Sequence, residues 1–252
     1  MKPYVIASPD YDFTSGGIKV MWALYGWLLA KGVEVYMNRR PSKDVIAIYP
    51  EIINGNPVGT ANIVRYVLNT PGVMGGIDER GVFHPGPLSF PNEKVYYFSR
   101  MFGKAENENH YMFLPAINLN TFRITNVMKR TKTCYLIGKG TNKNIHPKNS
   151  IELNRVVASN QQHLADILNE CHTLYIYDDL SAMMECARLC GCAVKYYGSL
   201  PEEQLELYEP GLNGISLYGK PSSFDAGAFR QHYTGLVKDF ERKLDLFLEE
   251  TQ

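Results

Sequence analysis

The stretch Thr173–Tyr197, TLYIYDDLSAMMECARLCGCAVKYY, contains the repeating unit from which the fold is read. Residues Thr173 to Tyr177 form an apolar run that stops at Asp178 and Asp179, as a strand buried inside a parallel sheet stops at a polar loop. Ser181 to Cys190 then has helical spacing, and Gly191 supplies the stop signal. Cys192 to Tyr197 is a second strand. Strand, loop, helix and strand in that order define a parallel crossover unit.

The same alternation extends outward in both directions. Towards the N-terminus, Thr133–Ile137 reads as a strand leading into Gly138, Arg155–Ser159 as another strand, and Gln162–Glu170 as a helix. The first third repeats the pattern: strand Tyr4–Ala7, helix Gly17–Lys31, strand Val33–Tyr36 and strand Val45–Tyr49, with a helix expected over Thr60–Asn69. Residues 72–94 are rich in Gly and Pro and read as a long irregular connection before a strand at Val95–Phe98. Phe113–Phe122 reads as a hinge, and the chain from Phe229 onward as a helix with Phe240, Leu244, Phe247 and Leu248 on one side. The expected architecture is α/β, with two doubly wound Rossmann-like domains that carry helices on both sheet faces. Their expected bounds are 1–121 and 122–228, and the terminal helix 229–252 is expected to return to the first domain.

Composition narrows the class. The chain has 252 residues, is 45% hydrophobic and 21% charged, and carries no formal net charge. That neutral balance gives no electrostatic reason to expect a nucleic-acid or anionic-membrane partner. The first residues contain acidic side chains and a proline, unlike a signal peptide, and the apolar run Val20–Ala30 is short and broken by Gly26. A soluble, cytoplasmic protein without stable membrane insertion is expected. Four of five cysteines, Cys171, Cys186, Cys190 and Cys192, lie close together, but there is no second C-x-x-C pair and no His placed to complete a zinc site. Buried free thiols are the expected outcome, with no metal and no resident cofactor.

In parallel α/β sheets, ligands meet the loops at the carboxyl ends of the strands. Three such loops carry chemistry. Gly16 and Gly17 open the first helix, where backbone N–H groups and the helix dipole suit an anion, though a plain turn explains them equally. Gly138, Lys139, Gly140 and Lys143 follow a strand, so they join phosphate access to positive charge, while P-loop spacing is absent. Asp178, Asp179, Leu180 and Ser181 lead to Glu185, whose carboxylate suits the two hydroxyls of a ribose or, alternatively, an i,i+3 pair with Arg188. Glu51, Asn54, Asn56 and Asn62 are expected around the end of the Val45 strand, and His84 lies in the Gly/Pro-rich connection.

Together these motifs resemble the retaining GT-B glycosyltransferases of the family 4 type. The resemblance rests on Gly16-Gly17, on the basic pair Lys139 and Lys143, and on Glu185 through Gly191, which is similar to E-A-x-x-C-G. Ile117–Phe122 is similar to the interdomain G-V-D-x-x-x-F segment of that family. It implies a nucleotide-sugar donor, a glycan or other hydroxyl acceptor, and a place in polysaccharide biosynthesis. Lys139 and Lys143 would stabilise the leaving diphosphate and so act as the catalytic pair. Gly16, Gly17, Gly138 and Gly140 would approach the donor with backbone N–H groups, Glu185 would hold its ribose, and Asp178, Asp179, Leu180 and Ser181 would line its sugar. Glu51, Asn54, Asn62 and His84 are the acceptor-side candidates. One departure is Tyr177, which stands where the family often has a second Glu. A non-catalytic nucleotide or sugar sensor on the same fold is the alternative, ahead of an epimerase or reductase, for which the dinucleotide fingerprint is missing.

Overall fold

Two five-stranded sheets, each parallel throughout, organise the chain in a computed structural model that describes all residues except Arg40, Ser42, Lys43, Val127 and Asn142. The chain divides into two compact units. The first comprises Met1–Asp12, Gly17–Pro115 and Leu236–Gln252, and the second comprises Phe13–Gly16 and Ala116–Gly235.

The first unit contains β1 (Tyr4–Ile6), α1 (Gly16–Ala30), β2 (Val35–Met37), β3 (Ile46–Pro50), β4 (Asn62–Val67), β5 (Gly75–Ile77), β6 (Phe83–Pro85) and β7 (Lys94–Tyr97). Its sheet has the order β2-β1-β3-β4-β7, and β5 and β6 form a separate antiparallel hairpin. The helix expected at Thr60–Asn69 is strand β4. Ile63, Val64 and Val67 fit a helical face as well as a strand, but β-branched and aromatic residues favour a pleated surface with partners on both sides. β3 and β7 are those partners. The Gly/Pro-rich stretch, expected to be irregular, carries the hairpin.

Loops therefore replace helices between β3, β4 and β7, and a charged network fills the space beneath them. Arg65 is 1% exposed and meets Glu93 at 2.8 and 3.0 Å. It also donates to the carbonyls of Pro50 and Ile53, and its guanidinium lies 5.2 Å from the Tyr49 ring centroid and 4.8 Å from that of Phe90. Such a buried ion survives because each of its three nitrogens finds an acceptor. Elsewhere in this unit the last part of the terminal helix packs Phe247 against Tyr4 and Tyr96, and Phe240 against Trp27.

The second unit contains β8 (Lys132–Leu136), β9 (Ile151–Glu152), α2 (Arg155–Ser159), α3 (Gln161–Glu170), β10 (Cys171–Ile176), α4 (Met183–Leu189), β11 (Ala193–Tyr196), α5 (Glu202–Leu205), β12 (Ile215–Leu217) and the start of α6 (Ala226–Thr251). Its sheet order is β12-β11-β10-β8-β9. Register aligns Cys134, Leu174, Val194 and Ile215 in one buried row, and α3 and α4 pack side by side against β10 and β11. The row on the other face reads Glu152, Tyr135, Tyr175, Lys195 and Ser216. A loop rather than a helix joins β8 to β9, and it lays His146 on that row, so the expectation of helices on both faces fails at this crossover too.

Arg155–Ser159, expected as a strand, is helix α2. The Asn154 side chain accepts from the N–H groups of Val156 and Val157, and this cap outweighs the β preference of the two valines. The short strands β9 and β12 were not expected. All five cysteines are buried free thiols.

Candidate functional site at the carboxyl edge of the second sheet

The ends of β8, β10, β11 and β12 point the same way, and the loops that follow them gather at one edge. Gly138 has φ +57°, and a Cβ there would overlap the Asp178 carboxylate. A Cβ on Gly140 would overlap the Tyr177 carbonyl oxygen. Both glycines are thus needed for the lysine loop to lie against the aspartate loop. The N–H of Lys139 donates to Asp178 Oδ2 at 3.3 Å, and Lys143 Nζ donates to the Tyr197 carbonyl at 2.7 Å. Both lysines are exposed. Asn142, in the same loop, lies outside the described residues.

The two aspartates differ. Burial pushes the Asp178 carboxyl above its ordinary range despite the N–H groups of Lys139 and Leu180. Burial also acts on Asp179, but Ser199 and Tyr196 outweigh it and hold that carboxyl below its ordinary range. Asp179 Oδ2 accepts from the Ser199 hydroxyl at 2.6 Å, and its Oδ1 accepts from the Ser199 N–H and from Tyr196 at 3.1 Å. Asp179 therefore ties the β10 loop to the β11 loop. Ser181 lies just before α4 and accepts from the Met183 N–H at 3.2 Å, and Leu180 is half-buried beside it.

Glu185 is 7% exposed and faces inward, where the Tyr208 hydroxyl donates to it. Arg188, fully buried, feels the Glu185 charge, donates to the carbonyls of Met184, Gly211 and Asn213, and lies 3.9 Å from the Phe229 ring centroid. The motif E-A-x-x-C-G sets its Glu five residues before the Gly, whereas Glu185 stands six before Gly191. One residue turns a helix by about 100°, and Cys186 takes the motif position here. Ile117–Phe122 is a turn within the second unit, with Arg230 donating to the carbonyls of Leu119 and Phe122.

Gly16 falls in the second unit, and a Cβ there would meet nothing within 4 Å; in the first unit, one on Gly17 would touch only Leu68 at 3.6 Å. Glu51 lies at the carboxyl edge, 3% exposed, and accepts from the Leu68 N–H at 2.8 Å; burial raises its carboxyl above the usual range. Asn54 donates to the Pro85 carbonyl at 3.4 Å. Asn62 does not join them. It is the first residue of β4, paired with Ile46 at the start of β3, and it donates to Asp44 at 3.3 Å on the opposite edge. Reading 60–69 as a helix had moved it to the wrong end. Asn56 orders its own turn by bonding Tyr49 and Thr60. His84 is exposed on β6 and lies 3.0 Å from Asp78 within the hairpin.

Sequence reasoning missed Ser199, Tyr196 and the Tyr177–His146 pair at the site edge. The mark of Tyr177 was its departure from the family motif; the other three carried no local signal. No protein-family model, curated protein or solved structure matches the chain. Among the described residues no helix is long and apolar enough to cross a membrane.

Proposed function

We propose that the chain is a glycosyltransferase of the GT-B kind, moving a sugar from a nucleotide-diphosphate donor to a glycan or other hydroxyl acceptor. The observation that carries this reading is the close seating of the Gly138–Lys143 loop on the Asp178–Ser181 loop at the carboxyl edge of a parallel sheet. Two glycines there have a packing reason, and two lysines beside them are exposed. A diphosphate at that edge would meet two ammonium charges. As the bond from the sugar's anomeric carbon to the diphosphate oxygen breaks, the acceptor oxygen bonds to that carbon and gives its proton to the departing diphosphate, on which negative charge builds. Lys139 and Lys143 would stabilise that charge, the task a divalent cation performs in other transferases. A cytoplasmic site of action belongs to the same reading.

The test is release of nucleoside diphosphate from a panel of nucleotide sugars and acceptors, with a chelator present. Turnover that survives the chelator and falls at least tenfold in Lys139→Ala is expected. Turnover that needs added Mg²⁺ or Mn²⁺ contradicts the assignment of the lysines. The inward Glu185 favours one second reading, a binding protein without transfer, which predicts nucleotide binding with no turnover for any pair.

A further inference from the structure

The phenol of Tyr177 is 2% exposed, directly after β10, and three nitrogens of the lysine loop converge on its oxygen. The N–H of Ile145 donates at 3.1 Å and that of His146 at 3.2 Å, while His146 Nδ1 lies at 2.8 Å. A phenol has one proton to donate and two lone pairs to accept with. Two backbone donors occupy the lone pairs, so the phenol proton goes to Nδ1, which must be bare. His146 is thereby fixed as a neutral ring with its own proton on Nε2. The ring lies flat on Tyr135, with centroids 3.8 Å apart and planes 8° from parallel, and its edges meet Tyr175 at 6.4 Å and Tyr177 at 5.7 Å. The charged groups on these surrounding rings and loops are Glu152 of β9, which contacts Tyr135, Lys195 of β11, 5.3 Å from the Tyr175 centroid, and Lys143, which is bonded to Tyr197.

We propose that Tyr177 and His146 form a pH-sensitive latch that positions the loop carrying Lys139 and Lys143, an inference that rests on the donor reading above. When His146 gains a proton, a third N–H faces an oxygen with two lone pairs, and the phenol proton loses its acceptor. One side must then separate. Tyr177 is held at the end of a buried strand, whereas Lys143, Asn144 and Ile145 are exposed, so the loop gives way. Both are positioning residues, and neither needs to touch the donor.

The experiment is long-range ¹H–¹⁵N correlation on histidine-labelled full-length protein across pH, without nucleotide, in wild type, Tyr177→Phe and His146→Phe. The latch predicts a bare Nδ1 and a proton on Nε2 of His146 in the wild type at neutral pH, and loss of that single tautomer in Tyr177→Phe. A proton on Nδ1 at neutral pH, or the same tautomer balance in both proteins, overturns it. Should Tyr177→Phe not fold, the wild-type tautomer and His146→Phe, which keeps the stack on Tyr135, still decide. Nucleoside diphosphate affinity is then expected to fall at least tenfold as wild type is acidified until the His146 signals report a proton on both ring nitrogens, and to stay level in His146→Phe. Equal pH dependence in the two overturns the latch. Absence of nucleotide binding at every pH defeats the donor reading alone, because the tautomer is read without nucleotide.

Discussion

The two sheets share strand number and parallel direction but close their faces by different means. In the second unit, α3 and α4 cover an apolar row of Cys134, Leu174, Val194 and Ile215, as parallel sheets commonly require. In the first, loops run from β3 to β4 and from β4 to β7, and Arg65 with Glu93 occupies the buried space under them. The contrast shows that a parallel crossover can dispense with its helix when one guanidinium satisfies the loop carbonyls a helix would have kept inside itself. It also separates residues that hold the fold from residues that have no fold to hold.

The largest expected effect tests the first half of that contrast. Arg65→Ala leaves Glu93 without its partner and should cost about 3–5 kcal/mol in urea unfolding. Joint replacement by Arg65→Met and Glu93→Leu should recover most of that loss, since an apolar filling can substitute for a buried pair. No recovery would mean that the carbonyls of Pro50 and Ile53 need the guanidinium itself.

The next sharpens the comparison at the glycines. Gly140→Ala must push the loop off the Tyr177 carbonyl, costing about 1–3 kcal/mol, and should also weaken nucleotide binding. Gly16→Ala meets no protein atom, so unfolding should change by less than about 1 kcal/mol, while nucleotide affinity falls if the donor approaches that backbone. Equal stability losses in both variants would erase the distinction.

The smallest effects concern single carboxylates. Glu250 is held below its ordinary value chiefly by its bond from Tyr96, with His110 and Lys94 assisting and burial opposing. Its contribution is therefore complete above the unfolded value of 4.5 and is lost as pH falls from there through the lower folded value. Glu250→Gln should unfold more easily than wild type at pH 7, by less than about 1 kcal/mol, and the difference should vanish on acidification. Burial raises the Glu51 carboxyl, so its charge opposes folding at neutral pH, and Glu51→Gln should be neutral or slightly stabilising in the same assay.

The α/β class was legible because apolar runs end at Ser8, Pro50, Gly138 and Asp178, where polar loops must begin. β4 was not, because Ile63, Val64 and Val67 satisfy both periods and only neighbouring strands decide between them. α2 was misread because two valines outvoted the cap that Asn154 supplies. In the candidate site, Gly138, Lys139, Gly140 and Asp178 could be found from their place after strands, and the structure brings them together. Asn62 failed with the helix on which it was placed. Tyr177 and His146 lie far apart in sequence, and their bond depends on the path of a loop that no local pattern reports.

The most direct test of the account is a thermal-shift titration of wild type and Lys139→Ala with nucleoside diphosphates and their sugar conjugates. Saturation at about a hundred times Kd adds about 2.7 kcal/mol, a rise of roughly 5–10 °C for a chain of this size. The account predicts that rise for one base in the wild type and its loss in Lys139→Ala. No rise with any nucleotide, or an equal rise in both proteins, would contradict a donor site at the carboxyl edge of the second sheet.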